Sequence, residues 1–252
     1  MSIYLGSNSI GMINTVISNN VNTDIEDQYL QETITQCNIS LALSVASYAF
    51  YQCSRLTYIS LPKVSMIAQD AFYSCIKLSA AYLPNVVSIG AAAFYRCESL
   101  VSFYAPKLRI VEFAAFSDCY LLPSIDLPQL TSIDSYVFAY CYSLSTINVP
   151  NVETIGSSAF MYCSRLTTIS LPKVALIQSS AFGSCRKLLS VYLLGSSIPT
   201  LRNSNAFYST PITGNTSSTS GVYGSIYVPA SLYNNYLTAA NWSTLSSRFI
   251  SV

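Results

Sequence analysis

AFYQCSRLTYISLPKV, residues 49 to 64, returns as AFMYCSRLTTISLPKV at 159 to 174, identical at thirteen of sixteen positions. The three differences are Tyr51 against Met161, Gln52 against Tyr162 and Tyr58 against Thr168. Phe50, Phe72, Phe94, Phe116, Phe138, Phe160 and Phe182 recur at an unbroken spacing of 22, and Phe207 follows after 25. Three residues behind each of the first seven stands a cysteine: Cys53, Cys75, Cys97, Cys119, Cys141, Cys163 and Cys185. The unit reads A-F-x-x-C-x-x-L-x-x-I-x-L-P-x-V-x-x-I-x-x-x. A fixed period of this kind marks a solenoid, whose units bury their apolar stripes only against one another.

The period is too short for helix-pair repeats of roughly 34 to 47 residues and fits the class of roughly 20 to 29, in which each coil lays down a short strand. That strand is the L-x-x-I-x-L core. In LTYISL, residues 56 to 61, alternation turns Leu56, Ile59 and Leu61 inward and Tyr58 and Ser60 to solvent. The row Pro62, Pro84, Pro106, Pro128, Pro150 and Pro172 has no N–H to continue a ladder and ends each strand at the same height. The expected fold is α/β or mostly β: a solenoid of about eight 22-residue coils with one short parallel strand per coil.

SIGAAAFYRCESL (88 to 100) and TIGSSAFMYCSRL (154 to 166) resemble the unit of the BspA-like leucine-rich repeats of bacterial surface proteins, I-G-x-x-A-F-x-x-C-x-x-L-x-x-I-x-L-P. The resemblance covers about residues 45 to 212, and the tail IYVPASLYNNYLTAANWS at 226 to 243 is similar to a segment that closes such arrays. It implies a right-handed solenoid used for adhesion or protein recognition rather than catalysis, at the cell surface or secreted. The start, MSIYLGSNSIGMINTVISNN, has neither a basic n-region nor a continuous apolar h-region, so no signal peptide is visible in it.

The ends divide the chain into an N-terminal cap at 1–36, the solenoid at 37–212 and a C-terminal cap at 213–252. Cys37 stands less than one period before Cys53, which predicts a shortened opening coil, and Asp24, Glu26, Asp27 and Glu32 give the segment before it a polar character. At the far end Thr210 takes the cysteine position. TGNTSSTSG at 213–221 reads as a flexible loop. SIYVP then predicts a strand, and ASLYNNYLTAANW a short helix with Leu232, Tyr236, Leu237 and Ala240 on one side and Trp242 packed in the cap.

Twelve basic and eleven acidic residues, without runs, leave no electrostatic footprint for nucleic acid. The uncharged stretch 33–54 is long enough for a membrane span but too rich in Ser, Thr, Gln and Asn, so no span is expected. No metal or cofactor is expected either: no two cysteines lie closer in sequence than Cys37 and Cys53, there is no histidine, and GSNSIG lacks the lysine of a phosphate loop. Stacked parallel cysteines lack the Cβ approach of a disulfide, and the expectation is a ladder of buried, unreactive thiols. Without histidine the usual triads are excluded. No catalytic residue is assigned.

Recognition remains. The solvent-facing strand row runs Ser60, Tyr82, Tyr104, Asp126, Asn148, Ser170 and Tyr192, and its single carboxylate supplies no glycosidase pair. Rings and short polar groups on consecutive strands suit an adaptable binding face. On the concave sheet the candidates are Tyr58, Tyr82, Tyr104, Asp126, Asn148 and Tyr192, facing an extracellular protein ligand on a host or neighbouring cell. A glycan is the alternative, since sugars stack on rings and bond Asn and Asp. A structural part in a phage tail or surface assembly is a further alternative. Sequons at Asn38, Asn215 and Asn241 carry little weight.

Overall fold

A computed structural model describes residues 34–38, 42–214 and 223–252. Each coil repeats three pieces. The first is the three-residue strand from L-x-x-I-x-L: β1 Gln36–Asn38, β3 Tyr58–Ser60, β5 Ala80–Tyr82, β7 Ser102–Tyr104, β9 Ser124–Asp126, β11 Thr146–Asn148, β13 Thr168–Ser170 and β15 Ser190–Tyr192. Paired neighbours are parallel and in register one period apart, as in Tyr58 opposite Ala80. Middle residues such as Ile59, Ile125, Ile169 and Val191 are buried, while the residues on either side face outward.

The second piece is a strand of two residues that spacing alone does not predict: β2 Ser44–Val45, β4 Met66–Ile67, β6 Ser88–Ile89, β8 Ile110–Val111, β10 Ser132–Ile133, β12 Thr154–Ile155, β14 Leu176–Ile177 and β16 Thr200–Leu201. Each coil therefore carries two parallel strands rather than the one expected. Two residues are too few for alternation to be legible, although the inward Ile or Val of the repeat, Leu201 in the last, is the buried half of each.

The third piece is the corner around the phenylalanine. Phe50 lies between Tyr48 at φ 60 and Gln52 at φ 56, and non-glycine residues at positive φ recur in the same two places at 70 and 74, 92 and 96, and onward to 180 and 184. A left-handed conformation costs an L-residue about 1 kcal/mol or more. What offsets it is coil-to-coil bonding: the N–H groups of Tyr48, Phe50 and Gln52 reach the carbonyls of Gln69, Ala71 and Tyr73 at 3.1, 2.7 and 2.7 Å. The Phe rings stack along the axis, from 5.0 Å between Phe50 and Phe72 to 5.6 Å between Phe116 and Phe138.

The cysteine row belongs to this corner. The Cys75 thiol donates to the Phe50 carbonyl one coil back at 3.0 Å, and Cys97, Cys119, Cys141, Cys163 and Cys185 repeat the bond to Phe72, Phe94, Phe116, Phe138 and Phe160 at 3.0–3.3 Å. All are fully buried. Burial pushes the Cys97, Cys119 and Cys141 thiols far above their ordinary range. At the end of the row, Thr210 Oγ1 turns to the carbonyl of Phe207 in its own coil at 2.6 Å.

Cys37 is not on that row. It lies opposite Ile59 in the β1–β3 pair, one full period before it, and fills an inward strand position. The opening coil therefore has full pitch, which corrects the shortened coil expected from the Cys37–Cys53 spacing. The acidic segment with Asp24, Glu26, Asp27 and Glu32 lies outside the described residues.

At the other end β17, Ser225–Val228, joins β15 in parallel, and β18, Phe249–Ser251, adds a strand to β17 that the sequence pattern does not announce. The helix α1, Tyr233–Thr238, stops before Ala240, which is exposed rather than on its packed side; Tyr236 is buried, and Leu232 and Leu237 are half-buried. Trp242 closes the Phe column, 6.3 Å from Phe207, with its indole N–H on the Pro199 carbonyl at 2.7 Å. Among the described residues no helix is long and apolar enough to cross a membrane.

Candidate functional site

The strand row gathers four of the six candidate residues. Tyr82 and Tyr104, on the paired strands β5 and β7, stack at 5.3 Å with ring planes 6° apart, and they are 43% and 50% exposed. On the next two strands the Asn148 side-chain amide donates to Asp126 Oδ1 at 2.7 Å. Tyr58 does not join them: it is half-buried in the neighbouring row, opposite Ala80. Tyr192 is also apart, with β13 between it and Asn148, and it stacks at 4.4 Å on Tyr227, which the sequence reading leaves out.

Between the tyrosine pair and the Asp126–Asn148 pair the sheet opens. The three-residue strands pair from β1 through β7, then β9 with β11, then β13 onward; β7 and β9 are not hydrogen-bonded to each other. The two-residue strands break at the same junction, between β8 and β10. Two residues bear on this. Pro123 occupies the position at which Ser79, Val101 and Ser145 donate their N–H to the preceding coil, and proline has none to give. Phe103 stands where other coils carry Ile, Val, Ala or, in the first, Cys, and its ring wedges edge-on against Phe94 at 5.5 Å and Phe116 at 4.8 Å. Ala105, in the place of the usual leucine, provides some of the room.

The consequence is an open depression of about 380 Å³ over β7, β9 and β11. Phe103, Ile125 and Ile147 form its floor, with Ser102, Ser124, Thr146, Asp126 and Asn148 around them. Phe103 and Ile147 are half-buried there, whereas Ile59 and Ile169 in the same slot are sealed. Sequence reasoning places these two in the core. The available signal is a bulky residue at 103 and a proline at 123, each a departure from the unit. The arrangement is an aromatic platform beside an apolar floor rimmed with hydroxyls and one carboxylate. Such a surface can bind; no nucleophile paired with a base lies in it.

A second band of tyrosine, also unanticipated, lies on the Phe corner. Tyr51, Tyr73 and Tyr95 stack at 4.9 Å intervals. Tyr120 with Tyr142 and Tyr140 with Tyr162 continue the band at 5.4 and 5.1 Å. Burial, and then the Asp118 carboxylate, push the Tyr120 hydroxyl up to about 12 and raise that of Tyr95. Tyr51, Tyr73 and Tyr95 are half-buried, unlike Tyr82 and Tyr104, so their stack holds coils together more than it offers a platform.

A model of the family described as BspA type leucine rich repeat region matches residues 23–119 and 87–213 in six copies. Among solved structures, a leucine-rich cell surface protein from Faecalibacterium prausnitzii A2-165 is 18% identical, over 86% of this chain and 82% of that one, with a TM-score of 0.45. A T. pallidum leucine-rich repeat protein is 27% identical over 70% and 78%, with a TM-score of 0.49. A leucine-rich repeat protein from Bacteroides ovatus ATCC 8483 is 22% identical over 87% and 60%, also at 0.49. No curated protein sequence matches.

Proposed function

The chain belongs to the BspA-type leucine-rich repeat family, and from that premise we propose that it is a non-enzymatic binding module that recognises a cell-surface protein through the face of its three-residue strands. Leucine-rich repeats of this kind are commonly protein-interaction scaffolds. The observation that carries the reading is the junction at β7 and β9, where a stacked, exposed tyrosine pair adjoins a depression with an apolar floor. Large rings of low conformational entropy beside a pocket with an apolar floor are what protein-binding hot spots are made of. In this reading Tyr82, Tyr104, Asp126 and Asn148 make the contact, Tyr58 and Tyr192 are peripheral, and the work is done outside the cell or at its surface.

The test is capture of extracellular-matrix and cell-surface proteins by the folded chain, repeated with Tyr82→Ala/Tyr104→Ala. Saturable binding that falls at least tenfold in the double variant is expected. Binding that ignores the two tyrosines would remove this face from the account.

The Asp126–Asn148 pair beside an aromatic ring favours a second reading, a glycan, because carboxylate and amide suit sugar hydroxyls. Against it, Tyr82 and Tyr104 each cover one face of the other, which leaves a sugar only the outer faces. A glycan array probed with wild type and Tyr104→Ala separates the two.

A further inference from the structure

Resting on the binding-face reading, we propose that the depression beside Tyr104 receives a single lysine or arginine side chain from the partner protein, with the cationic group at Asp126 and its methylenes on Phe103 and Ile147.

Charge leads to this occupant. Asp126 is the only charged side chain on the two outward rows of the three-residue strands. It rims the depression, it is exposed, and Asn148 is its hydrogen-bonding side-chain partner among the described residues, through Oδ1. That amide orients the carboxylate without neutralising it. Asn148 Oδ1 is left able to accept from an incoming ammonium or guanidinium.

Shape and polarity agree. Phe103 and Ile147 form an apolar floor that the array leaves half-covered, and an aliphatic stem would complete it. Tyr82 covers one face of the Tyr104 ring; the other looks along the array toward the coil of Asp126, where a cation meets the negative face of the ring. An acidic side chain would be repelled by Asp126. A purely apolar one would strip water from the carboxylate and from the hydroxyls of Ser102, Ser124 and Thr146 without replacing it.

The occupant is one cation rather than a basic run. Arg55, Lys77, Arg165, Arg186 and Lys187 precede the strands of the flanking coils and are exposed, so a polybasic segment laid along the array would meet like charge on either side of the junction.

The experiment is an amide-resolved NMR titration of the whole chain with N-acetyl-lysine methylamide, N-acetyl-arginine methylamide, N-acetyl-norleucine methylamide and methyl glucoside. The wild type and Asp126→Asn are compared. Saturable shifts at Ser102, Ser124 and Asn148 are expected with the two cationic amides, at least fivefold weaker with norleucine, and lost in Asp126→Asn, an exposed substitution of the same shape. Equal response to norleucine, an unchanged response in Asp126→Asn, no response to either cation, or a response to the glucoside alone would each overturn the assignment. If protein capture still depends on Tyr82 and Tyr104 while the cationic amides leave these amides unmoved, the lysine or arginine subsite fails and the binding face stands. If the cationic amides bind but capture ignores the tyrosines, the face fails instead.

Discussion

The corner and the strand faces of this array obey different rules, although one repeating unit writes both. At the corner, stacked phenylalanines run through Phe207, and each thiol from Cys75 to Cys185 bonds the preceding coil. On the strand faces both ladders stop between the coil of β7 and β8 and the coil of β9 and β10, and the ladder of three-residue strands is open a second time between β11 and β13. Across the first junction the corner still holds: Phe94 N–H reaches the Ala115 carbonyl at 2.8 Å, and Cys119 Sγ the Phe94 carbonyl at 3.3 Å. One edge of the solenoid thus supplies continuity, which frees the others to depart from the repeat. The departure is where the candidate site lies.

The largest test of this division is alkaline pH. Burial holds the thiols of Cys75, Cys97, Cys119, Cys141 and Cys163 well above the ordinary value of 9.0 and pushes that of Cys37 up to about 12. An unfolded chain loses these protons near pH 9 and the folded chain does not. Stability is therefore intact below pH 9 and falls as pH rises toward the native values, by roughly 1 kcal/mol per thiol between pH 9 and 10 and on the order of 6 kcal/mol for the set. Urea midpoints from pH 7 to 10.5 should drop steeply after pH 9. A flat profile would mean that neither the corner nor the strand slot of Cys37 is sealed.

Next in size is Phe116→Ala, which empties a fully buried slot in the stack between Phe94 and Phe138. A loss of about 3–5 kcal/mol is expected, because the neighbouring rings are held by coil-to-coil bonds and cannot collapse into the space. Tyr104→Ala, on the interrupted face, should change stability by less than about 1 kcal/mol. Equal costs in chemical denaturation would erase the distinction between corner and face.

What can be read from the letters follows the same line. The Phe and Cys columns are legible because a sealed corner tolerates one ring and one small thiol per coil, so the residues repeat. Cys37 misleads because its identity matches the column while its register, one period before Ile59, matches the strand. The two-residue strands escape because so short a segment shows no alternation. Tyr82, Tyr104, Asp126 and Asn148 are legible as one row, since a constant period fixes which residues are neighbours. The depression is not, because it comes from a missing N–H at Pro123 and a wedge at Phe103, and neither changes the hydrophobic pattern. The tyrosines at 51, 73 and 95 are visible at constant spacing, yet spacing alone does not show that their rings stack.

The smallest effect separates those two causes of the gap. Pro123→Ala restores an N–H opposite the Val101 carbonyl, worth about 0.5–1.5 kcal/mol as a hydrogen bond, but it also releases the unfolded chain, at about 0.4–1 kcal/mol the other way. Net stability should therefore stay within about 1 kcal/mol, and the informative measurement is amide exchange. Proline can delete a bond only on its own face. The second sheet is broken at the same junction: Gly90, Glu112 and Gly156 donate to Ile67, Ile89 and Ile133 at 2.7–3.0 Å, while Asp134 makes no such bond to Val111. If the Phe103 ring parts the coils, it accounts for both breaks at this junction, whereas the missing N–H of Pro123 accounts for one. Pro123→Ala is thus expected to protect the new amide at 123 and leave those of Thr131 and Asp134 exchanging fast, whereas Phe103→Ile should slow Thr131 and Asp134 as β8 and β10 come together. Protection of Asp134 by Pro123→Ala alone would make the missing donor, not the ring, the origin of the gap, and the depression would then be shaped by backbone rather than by side-chain bulk.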